Sequence, residues 1–253
     1  MEFDGIVRNM FVQLPMDFNQ DTSYPVVFFF HGYGGNKYFG REVIGPLVDE
    51  EDFVGIYPQG IENSWNAGSG AVPSTANDVG WTLHILDWLG TEITIDENRI
   101  YSLGYSNGGA FSYRLALDTD VFAAVASLSA SFFQGRTVAS DVQPLSVLQI
   151  HGENDQKVPY HGGQSSALSI VFESAMNTVT QWAVHNGLDA APIVNTQLDS
   201  MTIYTFSANG NPHEVRLYCM HGTTHHIITH PFISTNECYR KIWRFFNAHP
   251  KEY

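Results

Sequence analysis

The sequence predicts an α/β protein with a mostly parallel central sheet and helices on both faces. Strand-like apolar runs alternate with amphipathic runs along the chain, which is the pattern of parallel strands joined by helices. The run YPVVFFF at 24–30 is apolar without alternation, as expected of a strand buried on both faces. No linker or repeat is visible, so the 253 residues, 1–253, are expected to form a single domain.

The individual elements follow from apolar or β-branched runs bounded by turn residues. Strands are predicted over Gly5–Leu14, Val26–Phe30, Val54–Tyr57, Arg99–Leu103, Ala123–Leu128, Ser146–Ile150, Met201–Phe206 and Val215–Met220. Helices are predicted over Asp78–Leu89, Asn107–Leu117, Ser165–His185 and Asn236–Asn247. In the last helix, Tyr239, Ile242 and Phe246 recur at helical spacing, which predicts a face that packs on the core.

Composition limits the classes of partner. The formal net charge is −14, with only 12 lysines and arginines. Because an acidic surface repels nucleic acid and anionic membranes, neither is expected as a partner. No apolar run is long enough to cross a bilayer, and there is no basic-then-apolar leader, so a signal peptide is expected to be absent or removed.

Two cysteines, Cys219 and Cys238, are present. They are too few to hold a structural zinc ion alone. One disulfide between them and two buried thiols both fit the sequence, because the redox compartment is not known.

A sharp turn with a serine at its apex lies between a β-rich run and a helical run. The turn is GYSNG at 104–108, which fits the G-x-S-x-G pattern of a strand, a strained turn and a helix. The glycines are needed because the strand and the helix pass too close for a side chain. The pattern predicts Ser106 as a catalytic nucleophile.

Eight predicted strands, with this serine after the fourth or fifth, describe the α/β-hydrolase fold. The segment between Ser131 and Gln143 is too short for a large lid domain. An active site without a large lid is therefore expected.

A catalytic serine needs a base, and the base needs an orienting acid. In this fold the acid and then the histidine follow the serine along the chain. The turn HGEND at 151–155 follows a predicted strand and places Asp155 at the carboxyl end of that strand. Asp155 is therefore predicted as the acid, with Glu153 as the weaker competitor. His151 is interpreted as a residue that braces the loop.

The base is expected between the last strand and the last helix, where residues 220–230 contain four histidines. His225 follows the small-residue turn GTT at 222–224, which would direct its ring toward the nucleophile. His225 is the predicted base and His226 the second choice; His221 and His230 rank below them.

The same histidines allow a metal-site hypothesis. Two pairs, 221 with 225 and 226 with 230, are four residues apart, which places two rings one helical turn apart on a helix. The turn at 222–224 disfavours a helix there, and no carboxylate or cysteine pattern lies beside the pairs. Neither a metal nor an organic cofactor is expected.

A developing oxyanion needs two fixed backbone donors. The amide of Asn107, which follows the nucleophile, is one predicted donor. The other is expected from the loop after an early buried strand. That loop is HGYGGN at 31–36, and the amide of Tyr33 is the predicted donor. His31 is interpreted as a hydrogen-bond partner that braces this loop.

Several longer segments resemble an esterase family that includes extracellular polyhydroxyalkanoate depolymerases and related feruloyl esterases. The segments are PVVFFFHGYGGN at 25–36, SWNAG at 64–68, NDVGW at 77–81, NRIYSLGYSNGGAFSYRLA at 98–116, FAAVA at 122–126 and HGENDQKVPY at 151–160. The similarity extends across most of the chain, and the conjunction of segments makes it specific. It implies Ser106, Asp155 and His225 as the catalytic triad.

The resemblance also implies that Trp65 and Asn66 lie on a loop near the active-site mouth, braced by Asp78. With Tyr33, they are the candidate substrate-binding residues. A buried core position is the alternative for Trp65, because tryptophans are usually mostly buried. Secretion is implied by the same resemblance.

The chain departs from the family at two places. Relatives usually carry a Gly-Gly-Gly-His-like turn followed by Trp-Pro, where this chain has GTTHHII at 222–228. They also often carry two aspartates where this chain has Asn77 and Asp78. The first departure leaves the choice between His225 and His226 open and implies a changed binding edge.

The expected function is hydrolysis of a carboxylic ester through an acyl-enzyme. The substrate is expected to be a small-molecule or oligomeric ester, with hydroxycinnamoyl or other plant-polysaccharide esters favoured. A 3-hydroxybutyrate oligomer is the alternative substrate. An inert α/β-hydrolase scaffold that only binds ligands is the alternative of another class. The oligomeric state is left open.

Overall fold

A nine-stranded sheet organises the part of the chain that the computed structural model describes, residues 1–197, 200–227 and 235–251. Its strands are β1 (Met10–Gln13), β2 (Tyr24–Phe30), β3 (Val54–Pro58), β4 (Ile95–Tyr105), β5 (Ala124–Leu128), β6 (Ser146–Gly152), β7 (Ile193–Gln197), β8 (Met201–Phe206) and β9 (Val215–Met220). The order across the sheet is β7-β8-β9-β6-β5-β4-β2-β3-β1.

The centre of the sheet is parallel and its margins are antiparallel. Strands β3, β2, β4, β5, β6 and β9 run in the same direction. At the margins, β1 pairs antiparallel with β3, and β8 pairs antiparallel with both β7 and β9. Because parallel strands end at the same edge, the turns after β2, β4, β6 and β9 meet there, which is where ligands bind in open α/β sheets.

Five helices cover the two faces within the described ranges. They are α1 (Lys37–Glu51), α2 (Asp78–Glu92), α3 (Asn107–Asp118), α4 (Ala175–His185) and α5 (Thr235–Asn247). Apolar residues of α2, α3 and α4 belong to one core cluster, and those of α1 and α5 to the other. None of the helices described has the length and apolar character that a membrane crossing requires.

Strand β2 separates the two clusters. Phe28 and Phe30 belong to the cluster on one face, while Val27 and Phe29 belong to the cluster on the other. This confirms the prediction that the unbroken apolar run at 24–30 is buried on both sides.

The sequence patterns predict no helix at 37–51, where the structure has α1. Its sequence contains Pro46 and two glycines, which lower intrinsic helix propensity. Gly40 is retained because a Cβ there would lie 2.8 Å from side-chain atoms of Phe29 and Tyr57. Tertiary packing, rather than propensity, therefore stabilises this helix.

The predicted helix Ser165–His185 is too long at its beginning. Gly163–Gln164 and Val171–Phe172 form a short antiparallel ribbon, and α4 begins only after Ser174, whose hydroxyl accepts from the amide of Asn177. That serine is a standard helix N-cap. The ribbon places residues 165–170 over the carboxyl edge of the sheet.

Two strand predictions also need correction. The predicted strand Gly5–Leu14 is split, because Ile6–Val7 pairs with Glu2–Phe3 in a separate ribbon and only Met10–Gln13 joins the sheet. The structure adds β7, whose pairing with β8 was not predicted. It lies at the sheet margin, where exposure on both sides weakens the apolar signal.

The two cysteines do not form a disulfide. Both are free and buried. Cys219 lies in β9 within the cluster on one face, and Cys238 lies in α5 within the cluster on the other. The sheet separates their side chains, which decides between the two possibilities left by the sequence.

A buried ion pair joins the amino-terminal segment to the first turn of α2. Arg8 Nη2 lies 2.6 Å from Asp78 Oδ1, and the side chains are 2% and 0% exposed. The other carboxylate oxygen of Asp78 accepts from the amide of Asn66 at 2.7 Å and from the hydroxyl of Ser74 at 3.1 Å. Asp78 therefore braces the 64–76 loop, as the family resemblance implied.

Replacing one partner of this pair leaves a buried charge without compensation. We expect Arg8→Met to lower the free energy of unfolding by about 3–5 kcal/mol, because burial removes water as an alternative partner for Asp78. The half-exposed pair Arg99–Asp96 is the matched control: Arg99→Met should cost at most about 1 kcal/mol. Equal losses in urea titrations of the two variants would contradict this account.

Candidate active site

Ser106 sits at the apex of a strained turn between β4 and α3. Its backbone has φ 54° and ψ −115°, a conformation that non-glycine residues adopt only under constraint. A Cβ on Gly104 would lie 2.1 Å from the carbonyl oxygen of Gly108, and one on Gly108 would lie 2.0 Å from that of Phe30. The close approach expected for the G-x-S-x-G turn is therefore present on both sides.

The three side chains named from the sequence lie in hydrogen-bonding contact. His225 Nε2 is 2.9 Å from Ser106 Oγ, and His225 Nδ1 is 2.7 Å from Asp155 Oδ2. An ionised carboxylate only accepts, so Nδ1 carries the proton. The Nε2 lone pair is then available to the serine hydroxyl.

The loop that carries His225 is held by two hydroxyl groups. Its carbonyl oxygen accepts from Ser129 Oγ at 2.9 Å and from the Tyr105 hydroxyl at 3.1 Å. Burial raises the pKa of Tyr105, so this hydroxyl stays a donor. Both anchors lie at the carboxyl ends of central strands, next to the serine turn.

Asp155 is inaccessible to solvent yet surrounded by donors. Its Oδ1 accepts from the amides of Lys157 and Val158 at 2.8 and 3.0 Å. Burial raises the pKa of Asp155, but hydrogen bonds from His151 and His225 outweigh burial and hold that pKa well below its usual value. The carboxylate is therefore ionised in the folded protein.

The other histidines of this region have different partners. His226 Nδ1 lies 3.0 Å from the Tyr105 hydroxyl, and burial, with the nearby His225, lowers the pKa of His226. His221 Nδ1 lies 3.1 Å from Glu153 Oε2, so Glu153 contacts His221 rather than the predicted base. Residue 230, also a histidine, lies outside the described residues.

The ring nitrogens of residues 221 and 225 are directed to separate partners. His221 Nε2 lies 2.9 Å from Thr202 Oγ1, while His225 contacts the serine and the aspartate. Within the described ranges, one different trio, Glu153, Cys219 and His221, has its potential ligand atoms within 4.8 Å of one another. The other histidine pair includes residue 230 and is not described.

The loop after β2 lies beside Ser106 and is held by His31. His31 Nε2 accepts from the amide of Gly60 at 3.1 Å, and His31 Nδ1 lies 2.8 Å from the carbonyl oxygen of Gly32. These contacts confirm that His31 braces the loop. Tyr33 and Asn107 line one pocket together with Ser106, and Asn107 is the first residue of α3, where helix amides have no intrahelical acceptor.

Trp65 does not contact the pocket, so its assignment as a substrate-binding residue is wrong. Its side chain is fully buried and stacks on Phe111 with ring centroids 5.4 Å apart. The indole Nε1 donates to the carbonyl oxygen of His31 at 2.9 Å. The ring fills the core beneath the serine turn, which was the alternative position considered for it.

The loop carrying Trp65 acts on the site through its backbone. The side chain of Asn107 accepts from the amide of Trp65 at 2.7 Å and donates to its carbonyl oxygen at 2.9 Å. Asn66 directs its side-chain amide to the carbonyl oxygen of Ala76 and is absent from the pocket lining. The side chain of Asn66 therefore closes its own loop, and its assignment as a substrate-binding residue stays a prediction.

The pocket beside Ser106 has a volume of about 240 Å³. Its apolar lining consists of Val72, Ala110, Ala130, Phe133, Val158, Ala167, Leu168 and Phe172. Phe133 and Phe172 are paired by an isolated β-bridge, with ring centroids 5.5 Å apart. The sequence patterns gave no signal for this aromatic pair, because its two residues come from distant segments that meet only after folding.

No family model matches the chain. Among curated proteins, it is 27% identical over 211 residues to feruloyl esterase B from Piromyces equi, covering 78% of this chain and 39% of that protein. It is 28% identical over 164 residues to a probable feruloyl esterase C from Aspergillus niger, covering 62% of this chain and 58% of that protein. The chain thus spans less than two thirds of the length of either relative.

Solved esterase structures share the fold. An acetyl xylan esterase from Aspergillus awamori superposes with a TM-score of 0.69 at 16% identity, covering 95% of this chain and 94% of that one. A thermostable esterase superposes with a TM-score of 0.66 at 17% identity, covering 98% of this chain and 60% of that one. These structures and the sheet topology show an α/β-hydrolase fold, and in sequence the chain is similar to feruloyl esterases.

Proposed function

We propose that the chain is a serine carboxylic ester hydrolase, with residues 1–253 as a single catalytic domain. The observation that carries the proposal is the position of the His225 ring, which contacts Ser106 Oγ through one nitrogen and Asp155 through the other. The serine lies on a strained turn at the floor of an apolar pocket. These are the parts that acyl transfer to a serine needs.

In the proposed reaction, Ser106 Oγ attacks the ester carbonyl carbon while His225 Nε2 accepts the hydroxyl proton. Asp155 holds the imidazole tautomer and stabilises the imidazolium that forms. The amides of Tyr33 and Asn107 donate to the tetrahedral oxyanion. The imidazolium then protonates the leaving alcohol, and water attacks the acyl-enzyme by the same steps in reverse.

We propose a hydroxycinnamoyl ester, such as a feruloyl ester of a plant polysaccharide, as the substrate. Two of the relatives bear the name feruloyl esterase. The Phe133 and Phe172 rings form an apolar wall beside the serine, which suits a flat aromatic acyl group because offset or edge contacts between rings are favourable. We further propose secretion, because such esters lie outside the cell.

Replacing the nucleophile tests the mechanism. Ser106→Ala should lower kcat by a factor of about 10⁴–10⁶ on methyl ferulate, because no other group can form the acyl-enzyme. An active-serine phosphonate should label the wild type and Ser69→Ala, a pocket-rim control, but not Ser106→Ala. Failure to label the wild type would favour an inert binding scaffold.

Replacing each neighbouring histidine separately identifies the base. His225→Ala should reduce kcat by a factor of about 10⁴ or more, because the serine loses its proton acceptor. His226→Ala should retain activity within about tenfold, because His226 contacts Tyr105 rather than the serine. A larger loss of kcat for His226→Ala than for His225→Ala would identify His226 as the base.

The aromatic wall can be tested by comparing two esters. Phe133→Ala should lower kcat/KM for methyl ferulate by about tenfold, the scale of a lost aromatic contact. The same variant should change kcat/KM for a small acetyl ester much less, because an acetyl group does not reach the wall. Equal effects on both esters would argue against an aromatic acyl site. Faster hydrolysis of a soluble 3-hydroxybutyrate oligomer by the wild type would favour that substrate instead.

The ionised Asp155 should make stability depend on acid pH. The folded-state pKa of Asp155 lies below its ordinary value of 3.8, so its contribution is fully present above that value and is lost as pH falls through the folded pKa. Urea titrations should show a constant difference in unfolding free energy between wild type and Asp155→Asn from about pH 7 to pH 5, shrinking below about pH 4. A difference that stays constant down to about pH 3 would contradict the shift.

A further inference from the structure

Asp155 contacts a second histidine, His151, which has no role in the proposed mechanism. His151 Nε2 lies 3.3 Å from Asp155 Oδ2 and 2.9 Å from the carbonyl oxygen of Val158. His225 occupies the same carboxylate oxygen from the other side at 2.7 Å. With the amides of Lys157 and Val158 on Oδ1, a donor approaches each of the about four lone-pair sites of the carboxylate.

The proton on one nitrogen of His151 is fixed by its neighbours. A carbonyl oxygen and an ionised carboxylate are acceptors only, so His151 Nε2 must carry hydrogen to face Val158 and Asp155. The ring is fully buried, and water cannot replace either partner. The protonation of the other ring nitrogen, Nδ1, depends on the group that it contacts.

The side chain of Gln149 determines whether Nδ1 of His151 carries a proton. Gln149 Nε2 lies 3.0 Å from His151 Nδ1 and 3.2 Å from Ser131 Oγ, and an amide nitrogen has two hydrogens, one for each. In this orientation His151 Nδ1 accepts and has no proton of its own. A second proton on the ring would point at an amide hydrogen.

The amide orientation is fixed in turn by Tyr113. The Tyr113 hydroxyl lies 2.6 Å from Gln149 Oε1. That separation fits a hydroxyl donating to a carbonyl oxygen, whose usual distance is about 2.7–2.8 Å, and is short for an amide nitrogen at about 2.9–3.0 Å. Burial raises the pKa of Tyr113, so the hydroxyl retains its proton and remains a donor.

We propose that His151 is a positioning residue for Asp155, kept as the neutral Nε2–H tautomer by Gln149 and Tyr113, and that this neutrality leaves the aspartate charge to the imidazolium forming on His225. A charged His151 would compensate the carboxylate before reaction. The gain in stabilising His225 would then be smaller. This inference rests on the proposed function, because it assigns His225 the role of base.

The spacing of Gln149 and His151 in the sequence explains why their side chains meet. Gln149 and His151 are two apart on β6 and therefore point to the same face of the sheet, which is the face that α3 covers with Tyr113. The titratable groups beside the His151 ring include Asp155, Tyr160, whose ring centroid lies 5.7 Å away, and Cys219, which pairs with His151 across β6 and β9. Burial raises the pKa of Cys219, so the thiol is neutral. Burial raises the pKa of Tyr160, so Asp155 is the charged group of the three.

The tautomer can be read directly by ¹⁵N NMR of the full chain labelled at histidine. The wild type should show His151, assigned by its loss in His151→Gln, with Nε2 protonated and Nδ1 not. In Gln149→Glu a carboxylate replaces the amide donor, and the same ring should show both nitrogens protonated. A doubly protonated or Nδ1–H ring in the wild type would overturn the proposal.

Kinetics test whether that tautomer matters. Gln149→Glu should lower kcat by about tenfold or more while KM changes little, because Gln149 does not line the pocket. Tyr113→Phe, which frees the amide to turn, should lower kcat in the same direction. Tyr57→Phe is the matched control: it removes another buried hydroxyl from a glutamine oxygen, that of Gln13, in a pair that does not line the pocket, and should leave kcat unchanged.

The outcomes separate this inference from the proposed function. If Gln149→Glu protonates His151 and kcat does not fall, the positioning role is wrong while ester hydrolysis stands. If Ser106→Ala retains activity, the proposed function is wrong whatever the tautomer of His151. If Tyr57→Phe loses as much kcat as Tyr113→Phe, the loss reflects a general effect of burying an unpaired amide, which would also overturn the positioning role.

Discussion

The close approach of α3 to the sheet is the constraint on which the site depends. A Cβ on Gly108 would lie 2.0 Å from the carbonyl oxygen of Phe30, so only glycine allows the helix to begin so near β2. This proximity forces the strained conformation of Ser106 and brings the first amide of α3 to the loop after β2. The proposed nucleophile and a helix N-terminus therefore meet the loop of Tyr33 at one edge of the sheet.

Two buried carboxylates lie near that edge of the sheet, and the cost of burying each one depends on the donors around it. Asp78 and Asp155 are both inaccessible to solvent, and a buried carboxylate is costly unless donors surround it. Asp78 is compensated by Arg8 and by the loop it braces. Asp155 accepts hydrogen bonds from backbone amides and contacts two histidine N–H groups. The first arrangement stabilises the fold, whereas the second stabilises a charged group that faces the proposed base.

Local sequence motifs predicted much of the candidate active site. Strand, turn and helix around Ser106, and the turn leading to Asp155, are encoded within a few residues, and both were located correctly. Trp65 was misassigned because position on a loop near the site does not reveal which way a side chain points. Indole burial and loop closure are decided by contacts with Phe111 and Ala76, which are distant in sequence or dependent on loop shape.

The order of amino acids determined the α/β architecture, the strained serine turn and the turn that carries Asp155, because each depends on short-range periodicity or spacing. Only the tertiary structure decided which neighbouring histidine contacts Ser106, that Cys219 and Cys238 stay apart, and that Phe133 and Phe172 form one wall. Each of these features depends on packing between segments that are far apart in the chain, and a local sequence pattern does not predict such packing.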